Sequence, residues 1–270
     1  MTGPTQTSNS SASARLRLMA LRAGVELGTS LAALPWLAMA PRGDGHAVLV
    51  LPGLIASDGS TRVLRDFLTG RGYRAKGWGL GRNFGPRPGV ERAMLDTLDR
   101  IGDESGGKVS LVGWSLGGLY ARALAARRPD AVRSVVTLGS PIRDPRATAA
   151  WRLYEFTSHK RADDPEDART VGPTPPVPTT SIYSRTDEIV PWQCSIEREG
   201  PRSENIEVVG SHIGLGFNPA ALFAVSDRLA QAEGRWQRFE RTGWRQFVFP
   251  DPQRRESSRR WAWAEGPIAA

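Results

Sequence analysis

Cysteine and histidine are scarce in this sequence, and their scarcity limits the kinds of site that the protein can build. The 270 residues include one cysteine, Cys194, so no disulfide bond can form within the chain. The three histidines, His46, His159 and His212, match no zinc-ligand spacing with a single cysteine. We therefore expect neither a disulfide framework nor a structural metal.

The sequence also lacks an apolar run long enough to cross a membrane. In the Ala/Leu-rich stretch 15–40, Glu26 interrupts the apolar residues, and the remaining run 27–40 is short and contains Pro35. A signal peptide would have Glu26 within its apolar part and would be cleaved directly before Pro41. We therefore expect the stretch to stay attached and the protein to be cytoplasmic rather than secreted.

The same stretch has the periodicity of an amphipathic helix. Apolar side chains recur at helical spacing, with charged ones toward the other side. The apolar set is Leu16, Met19, Ala20, Ala23, Leu27 and Leu31, and the charged set is Arg15, Arg22 and Glu26. Two interpretations stay open: the helix rests on a membrane surface as a peripheral contact, or it packs on the body of the protein.

Acidic residues are outnumbered by basic ones, 28 to 36, which gives a net charge of +8. A basic excess can indicate a nucleic acid or an anionic membrane as the partner. The arginines are scattered, however, and few aromatic residues interleave with them before residue 236. We interpret them as a solvated surface and expect no nucleic-acid partner. The exception is a C-terminal cluster, Arg254, Arg255, Arg259 and Arg260, beside Trp261 and Trp263.

Apolar runs typical of buried strands alternate with helical patterns through the body of the chain. With 40% hydrophobic residues the chain can bury a sizeable core, and its alternating pattern predicts an α/β fold, a mainly parallel sheet with helices on both faces. The predicted strands are 47–51, 73–78, 109–112, 132–138, 180–184 and 206–209, and the predicted helices are 60–68, 90–101, 116–128 and one that opens at Asn218-Pro219.

This alternation divides the chain into four parts. Residues 1–45 are a tail with amphipathic helices, and residues 234–270 are a basic tail rich in Trp and Arg. Residues 46–141 and 179–233 form the α/β core. Between them, residues 142–178 hold a helical piece, an acidic patch and several prolines, which favours a small lid, although a surface loop without a role is the alternative.

The most informative residues are Gly113-Trp114-Ser115-Leu116-Gly117-Gly118. They lie between an apolar strand and a helical run, the arrangement of a nucleophile elbow. In such an elbow the serine takes strained backbone angles, and the small neighbours let strand and helix pass closely. The pattern predicts Ser115 as a nucleophile at the N-terminus of a helix.

A serine nucleophile needs a base and an orienting acid. In a fold with this order of strands and helices, the acid follows the serine in the sequence, and the histidine follows the acid. Asp187 follows a predicted strand and is our candidate acid, with Glu188 as the alternative that Ile189-Val190 should turn outward. His212 follows the last predicted strand and is the candidate base, because His46 precedes the first strand and sits at the wrong edge.

The oxyanion hole requires two N–H donors aimed at the developing negative charge. The amide of Leu116, directly after the nucleophile, is the first candidate. The second should come from the loop after the first strong strand, where Gly53 permits a turn, and we assign it to Leu54 with Ile55 as the alternative.

Four motifs carry these candidates: LPGL at 51–54, GWSLGG at 113–118, SRTDEIVP at 184–191 and GSHIG at 210–214. As a set they resemble the motifs of α/β-hydrolases of the bacterial serine esterase/lipase type, similar to the triacylglycerol lipase group. The resemblance covers residues 46–231 and implies the α/β-hydrolase fold, with cleavage of a small-molecule or lipid ester through an acyl-Ser115 intermediate and without a cofactor.

Two other functions stay open on the same residues. An acyltransferase would use the same triad and resolve the acyl-enzyme with an alcohol or amine instead of water. A non-catalytic binding protein could retain the fold, since fold alone does not imply activity. The presence of Ser115, Asp187 and His212 together argues against the second of these.

Overall fold

A six-stranded parallel sheet forms the centre of the molecule. The computed structural model describes residues 21–22, 24–26, 28–158 and 173–252. The strands are β1 Ala47–Leu51, β2 Arg74–Gly77, β3 Val109–Trp114, β4 Val132–Leu138, β5 Thr179–Ser184 and β6 Ser203–Val208. Their order in the sheet is β2-β1-β3-β4-β5-β6, and all neighbouring pairs are parallel. The predicted parallel sheet is confirmed.

The helices connect these strands and cover both faces of the sheet. They are α1 Leu34–Leu37, α2 Arg62–Gly70, α3 Val90–Ser105, α4 Leu116–Arg127, α5 Trp151–Ser158, α6 Pro219–Leu229 and α7 Arg245–Val248. Before α1, the described residues between 21 and 32 are helical and form what we call the N-terminal helical segment. Among the described residues, no helix is both long and apolar enough to cross a membrane.

Side chains of β1 alternate between two hydrophobic clusters, one on each face of the sheet. Val48 and Val50 join the cluster that includes residues of α1, α2 and α6. Leu49 and Leu51 join the cluster that includes residues of α3 and α4. All five residues of β1 are buried, which explains why the sequence shows an unbroken apolar run there.

Some element bounds differ from the prediction for identifiable reasons. β6 begins at Ser203, earlier than predicted. The polar Glu204 can be buried in this strand because it accepts a hydrogen bond from Thr180 at 3.0 Å and pairs with Arg228 at 2.9 Å. The last turn of α3 is polar, so the apolar periodicity that predicts a helix is missing there. The helix stops before Gly106, whose φ is +68°.

The N-terminus of α2 has no side-chain cap, whereas that of α6 is capped by Asn218. Neither Asp58 nor Ser60 caps α2, which begins after Thr61 without a side-chain cap. The Asp58 carboxylate instead accepts from the amides of Trp78 and Gly79, each at 3.0 Å. In α6, Asn218 accepts from the amide of Ala221 at 3.1 Å, as its position before Pro219 predicts.

The two terminal parts of the chain meet on the α6 face of the sheet. Trp36 stacks on Phe223 with ring centroids 5.0 Å apart, and Trp244 contacts both rings edge-on. Phe249, just after α7, is fully buried. Part of the tail that showed no periodicity therefore belongs to the core. The basic cluster at 254–260 and the charged residues Arg15 and Arg17 lie outside the described residues.

A buried ion pair holds the chain where it returns from the insertion. Arg122 on α4 pairs with Glu197, and both side chains are almost fully buried. Arg122 also donates to the carbonyl of Pro173 at 3.3 Å, and Thr174 donates to Glu197 at 2.8 Å. Burial lowers the pKa of Arg122 to about 10, so its charge persists at neutral pH. His159 and the acidic patch of the insertion lie outside the described residues.

Candidate active site

Ser115 occupies a sharp turn between β3 and α4 at the carboxyl edge of the sheet. Its φ of 54° and ψ of −121° are uncommon for a residue with a side chain. Its amide donates to the carbonyl of Leu138 on the neighbouring strand at 2.8 Å, which holds the turn in place. Leu116 begins α4, and amides in the first turn of a helix have no acceptor within the helix. The turn therefore places the Ser115 hydroxyl beside the N-terminus of α4.

The glycines around Ser115 are required by the close passage of strand and helix. A Cβ at Gly113 would collide with the carbonyl of Gly117, and a Cβ at Gly117 would collide with the carbonyl of Leu51. A Cβ at Gly118 would collide with the hydroxyl of Ser140. Because two of these neighbours are backbone atoms, no side-chain rotation would relieve the contact.

The structure brings Ser115, His212 and Asp187 together in one chain of contacts. His212 Nε2 lies 3.0 Å from Ser115 Oγ, and His212 Nδ1 lies 2.7 Å from Asp187 Oδ2. The His212 and Asp187 side chains are 8% and 1% exposed, whereas Ser115 is partly exposed. In the tautomer with the proton on Nδ1, the imidazole donates to Asp187 and its Nε2 lone pair faces the Ser115 hydroxyl. This is the arrangement that activates a serine.

Backbone groups fix the carboxylate of Asp187. Its Oδ1 accepts from the amides of Ile189 and Val190, each at 2.8 Å, so the other oxygen remains for His212. Gly139, at the end of β4, leaves room for the pair, since a Cβ there would lie 3.0 Å from Asp187 Oδ2 and 3.3 Å from His212 Nδ1.

Glu188 does not turn outward, so that expectation was wrong. Its Oε2 accepts from the backbone amide of His212 at 3.3 Å and lies 3.5 Å from Arg22 Nη1. Glu188 therefore contacts the main chain of His212, while Asp187 contacts the imidazole. The sequence could not distinguish these two positions because the His212 loop arrives from a distant part of the chain.

The loop that carries His212 is tied to the acid loop and to the elbow. Ser184 and Thr186 donate to the carbonyl of Gly210 at 2.7 Å and 3.0 Å. On the elbow side, the indole of Trp114 donates to the carbonyl of His212 at 3.1 Å. The three loops at the carboxyl edge are thus connected by hydrogen bonds from side chains to main-chain carbonyls.

The loop after β1 lies against Ser115, as required of an oxyanion loop. A Cβ on Gly53 would stand 3.2 Å from Ser115 Cβ. The amide of Ile55 is already used, because it donates to the carbonyl of Asn83 at 2.6 Å. That contact removes the alternative donor and leaves Leu54 and Leu116 as the candidate pair.

Two residues that sequence reasoning missed support these loops. Asn83 is fully buried and donates to the carbonyl of Pro52 at 2.9 Å, so it fixes the oxyanion loop. Glu26 accepts from Ser211, the neighbour of His212. Both bind groups far along the chain, and no local pattern indicates either contact. His46 lies at the opposite edge of the sheet, between Asp44 and Ser110.

No cluster of three or more His, Cys, Asp or Glu side chains in the described part of the chain could hold a metal ion. Cys194 is a buried free thiol, and burial raises its pKa.

Comparison with known proteins agrees with this architecture. The alpha/beta hydrolase fold family model matches residues 91–171, which include the elbow. The serine hydrolase BPHL of Mus musculus and that of Homo sapiens are each 34% identical over 110 residues, 36% of this chain and 37% of the relative. The match therefore spans little more than a third of those proteins.

A solved structure extends the likeness beyond that segment. Lipase B of Aspergillus fumigatus superposes with a TM-score of 0.52 at 18% identity, over 71% of this chain and 54% of the lipase. At this identity the likeness concerns the fold. The parallel sheet and the structural likeness agree with the family match around Ser115. Together they lead to one conclusion: the chain has the α/β-hydrolase fold.

Proposed function

We propose that the protein is a serine hydrolase that cleaves carboxylic esters through an acyl-serine intermediate. The observation that carries the proposal is the contact of 3.0 Å between Ser115 Oγ and His212 Nε2, with Asp187 2.7 Å from the other ring nitrogen. The names of the serine hydrolase relatives and of the lipase with the same fold support it.

In the first half of the reaction, Ser115 Oγ attacks the ester carbonyl carbon while His212 Nε2 takes the hydroxyl proton. Asp187 stays ionised and stabilises the imidazolium that forms. The amides of Leu116 and Leu54 donate to the oxyanion of the tetrahedral intermediate. When the intermediate collapses, the bond to the alcohol oxygen breaks and His212 gives that oxygen the proton.

In the second half, water attacks the carbonyl of the acyl-Ser115 ester, and His212 takes the proton of that water. The second tetrahedral intermediate uses the same two amides. Its collapse releases the carboxylic acid and returns the proton to Ser115 Oγ. The reaction consumes only the ester and water, and it regenerates the enzyme.

Hydrolysis of a series of p-nitrophenyl esters of increasing acyl length tests the proposal. We expect hydrolysis by the wild type, with a preferred chain length that reports whether the substrate is a small ester or a lipid. If no ester in the series is hydrolysed above the Ser115→Ala background, the hydrolase proposal is wrong and the binding-protein alternative gains.

The same assay distinguishes hydrolase from acyltransferase. An alcohol acceptor added at fixed ester concentration should leave the free acid as the main product of a hydrolase. An acyltransferase would instead yield the new ester at the expense of the acid.

As a partner we propose, besides the ester substrate, an anionic membrane surface. In the described residues of 21–39, five large apolar side chains are exposed: Leu21, Val25, Leu31, Leu34 and Met39. The net charge of +8 favours anionic lipid. The full-length protein should sediment with anionic vesicles at low salt and dissociate at high salt. Failure to sediment at low salt would contradict this contact.

A further inference from the structure

Among the described residues of the N-terminal helical segment, polar side chains and not apolar ones face the body of the protein. Arg22, Glu26 and Ser30 follow one another at four-residue spacing and so share a face of the helix. Ser30 is 5% exposed and lies against the carbonyl of Phe217. Val25, on another face, is 60% exposed. Polar groups oriented inward in this way indicate specific contacts rather than general hydrophobic packing.

Glu26 makes the most direct of these contacts. Its Oε1 accepts from the backbone amide of Ser211 at 2.7 Å, and its Oε2 accepts from the Ser211 hydroxyl at 2.8 Å. Ser211 is fully buried and directly precedes His212. Its hydroxyl oxygen in turn accepts from the amide of Gly214 at 3.0 Å. One carboxylate therefore satisfies two buried donors at the start of the His212 loop.

The loop is shaped to admit this carboxylate. A Cβ at Gly214 would collide with Glu26 Oε2, so a side chain at that position would displace the carboxylate. Gly214 does not have a positive φ, so backbone conformation does not account for glycine here. Glycine leaves room here for the Glu26 carboxylate and for the Ser211 hydroxyl, which would lie 2.9 Å from a Cβ.

A second link joins the same helical segment to the acid loop. Arg22 donates to the carbonyl of Thr186 at 3.4 Å and lies 3.5 Å from Glu188 Oε2. Glu188 accepts from the amide of His212 at 3.3 Å. Because these distances are longer and Arg22 is partly exposed, we expect this link to contribute less than that of Glu26.

We propose that Glu26 is a positioning residue, which acts through Ser211 to hold the imidazole of His212 within reach of Ser115. The proposal rests on the proposed function, because positioning has a catalytic meaning only if Ser115 is the nucleophile. Without the carboxylate, the buried amide and hydroxyl of Ser211 lose their acceptor. The loop then samples other conformations, and the attack geometry is populated less often.

The first experiment compares Glu26→Ala with Val25→Ala, a truncation on the exposed face of the same segment. For Glu26→Ala we expect kcat to fall roughly 10- to 100-fold with KM changed less than about twofold, since the ester binds elsewhere. Val25→Ala should keep wild-type kcat. Glu26→Gln, which retains an oxygen for the Ser211 amide, should lie between the wild type and Glu26→Ala.

Gly214→Ala tests the contact from the other side. It should lower kcat in the same way, and the double variant with Glu26→Ala should be no worse than the more impaired single variant, because both remove one interaction. Additive losses would mean that the two residues act separately and would overturn the proposal. So would a kcat of Glu26→Ala within twofold of that of Val25→Ala.

Hydrogen exchange separates this inference from the proposed function. Glu26→Ala should speed exchange of the amides of residues 211–214, whether or not the wild type cleaves esters, while thermal unfolding shows that the variant is folded. Faster exchange in Glu26→Ala, combined with no esterase activity in the wild type, would support the loop contact and reject the proposed function. Unchanged exchange at 211–214 would overturn the positioning role.

Discussion

The sheet carries two Ser-His-Asp contacts at opposite edges, and their comparison shows what surrounds a catalytic serine. At the carboxyl edge, His212 bridges Ser115 at 3.0 Å and Asp187 at 2.7 Å. At the other edge, His46 bridges Ser110 at 2.9 Å and Asp44 at 2.5 Å. Both serines belong to β3 or to the turn that directly follows it. By contact distances alone the two trios would be equivalent.

Their serines differ in access and in backbone conformation. Ser110 is a fully buried residue within a strand, and its hydroxyl also lies 3.0 Å from the hydroxyl of Ser134. Ser115 is partly exposed, has a positive φ and directly precedes a helix, whose N-terminus favours negative charge. An ester could approach the partly exposed Ser115, whereas the buried Ser110 is closed to it.

Their acids differ in the opposite sense. The Asp44 side chain is 55% exposed and lies 2.8 Å from Arg133, whereas the Asp187 side chain is 1% exposed and bound by two amides. Burial alone would raise the pKa of Asp44, but hydrogen bonds from His46 and Arg133 outweigh it and lower that pKa. The Asp44 carboxylate is thus shared between His46 and the guanidinium of Arg133, whereas the Asp187 carboxylate contacts His212 and two backbone amides. The Ser110 trio thus has the contacts of a structural network.

Removing each serine hydroxyl is the most direct test of the difference between the two trios. Ser115→Ala should reduce ester hydrolysis on the order of 10³-fold or more, because the nucleophile is lost, and should abolish labelling by a fluorophosphonate probe. Ser110→Ala should leave both activity and labelling near wild type, at a modest cost in stability. Labelling that persists in Ser115→Ala and disappears in Ser110→Ala would reverse the assignment.

The second-largest effect is expected at the acids. Asp187→Asn should lower kcat by roughly 10²- to 10⁴-fold, because the amide no longer favours the tautomer that activates Ser115. Glu188→Gln should have little effect, since its remaining oxygen can still accept from the amide of His212. Asp44→Asn, the matched change in the other trio, should leave kcat unchanged. A larger loss for Glu188→Gln than for Asp187→Asn would make Glu188 the orienting acid.

How far the sequence predicts these features depends on whether their partners are local. β1 and the elbow were predictable because an apolar run and closely spaced glycines are continuous along the chain. Asp187 and His212 were selected by their position after strands. The inward orientation of Glu188 depends on the His212 loop, which only the folded chain places beside it.

The supporting residues were not predictable for the same reason. Asn83 binds the carbonyl of Pro52, and Glu26 binds Ser211, so each partner is a group brought close by the tertiary fold. Main-chain donors and acceptors are the same in nearly every residue, so the sequence does not indicate which of them a side chain will bind. In the sequence, Glu26 was visible only as an interruption of an apolar stretch.

A third prediction concerns the oxyanion loop beside Ser115 and leaves the trio of Ser115, His212 and Asp187 unchanged. Asn83→Ala removes the donor to Pro52 and an acceptor for the amide of Gly85, and so loosens the oxyanion loop. We expect kcat to fall about 10- to 100-fold, since the loss of one oxyanion donor costs up to about 10³-fold. Asn205→Ala, which removes contacts to Glu197 on β6's side of the sheet, should cost stability but not kcat. Equal kcat values for the two variants would exclude a role for Asn83 in the loop.

The smallest expected effect concerns the pH dependence of stability at the Ser110 trio. Burial, aided by the positive charges of Arg133 and Arg74, lowers the pKa of His46 in spite of Asp44. A histidine in the unfolded chain has a pKa of about 6.5. The unfolded chain therefore binds more protons than the native state just below that pH. Stability must then rise with pH across the window from the native pKa up to about 6.5, with a slope of at most about 1.4 kcal/mol per pH unit for one proton. His46→Gln should flatten this part of the profile, measured as the free energy of unfolding in urea between pH 5.5 and 7.5, values set around that window. A His46→Gln stability profile parallel to that of the wild type would show that His46 is not held neutral. A loss of ester hydrolysis in this variant at pH 7.5 would show that the two edges of the sheet are not independent.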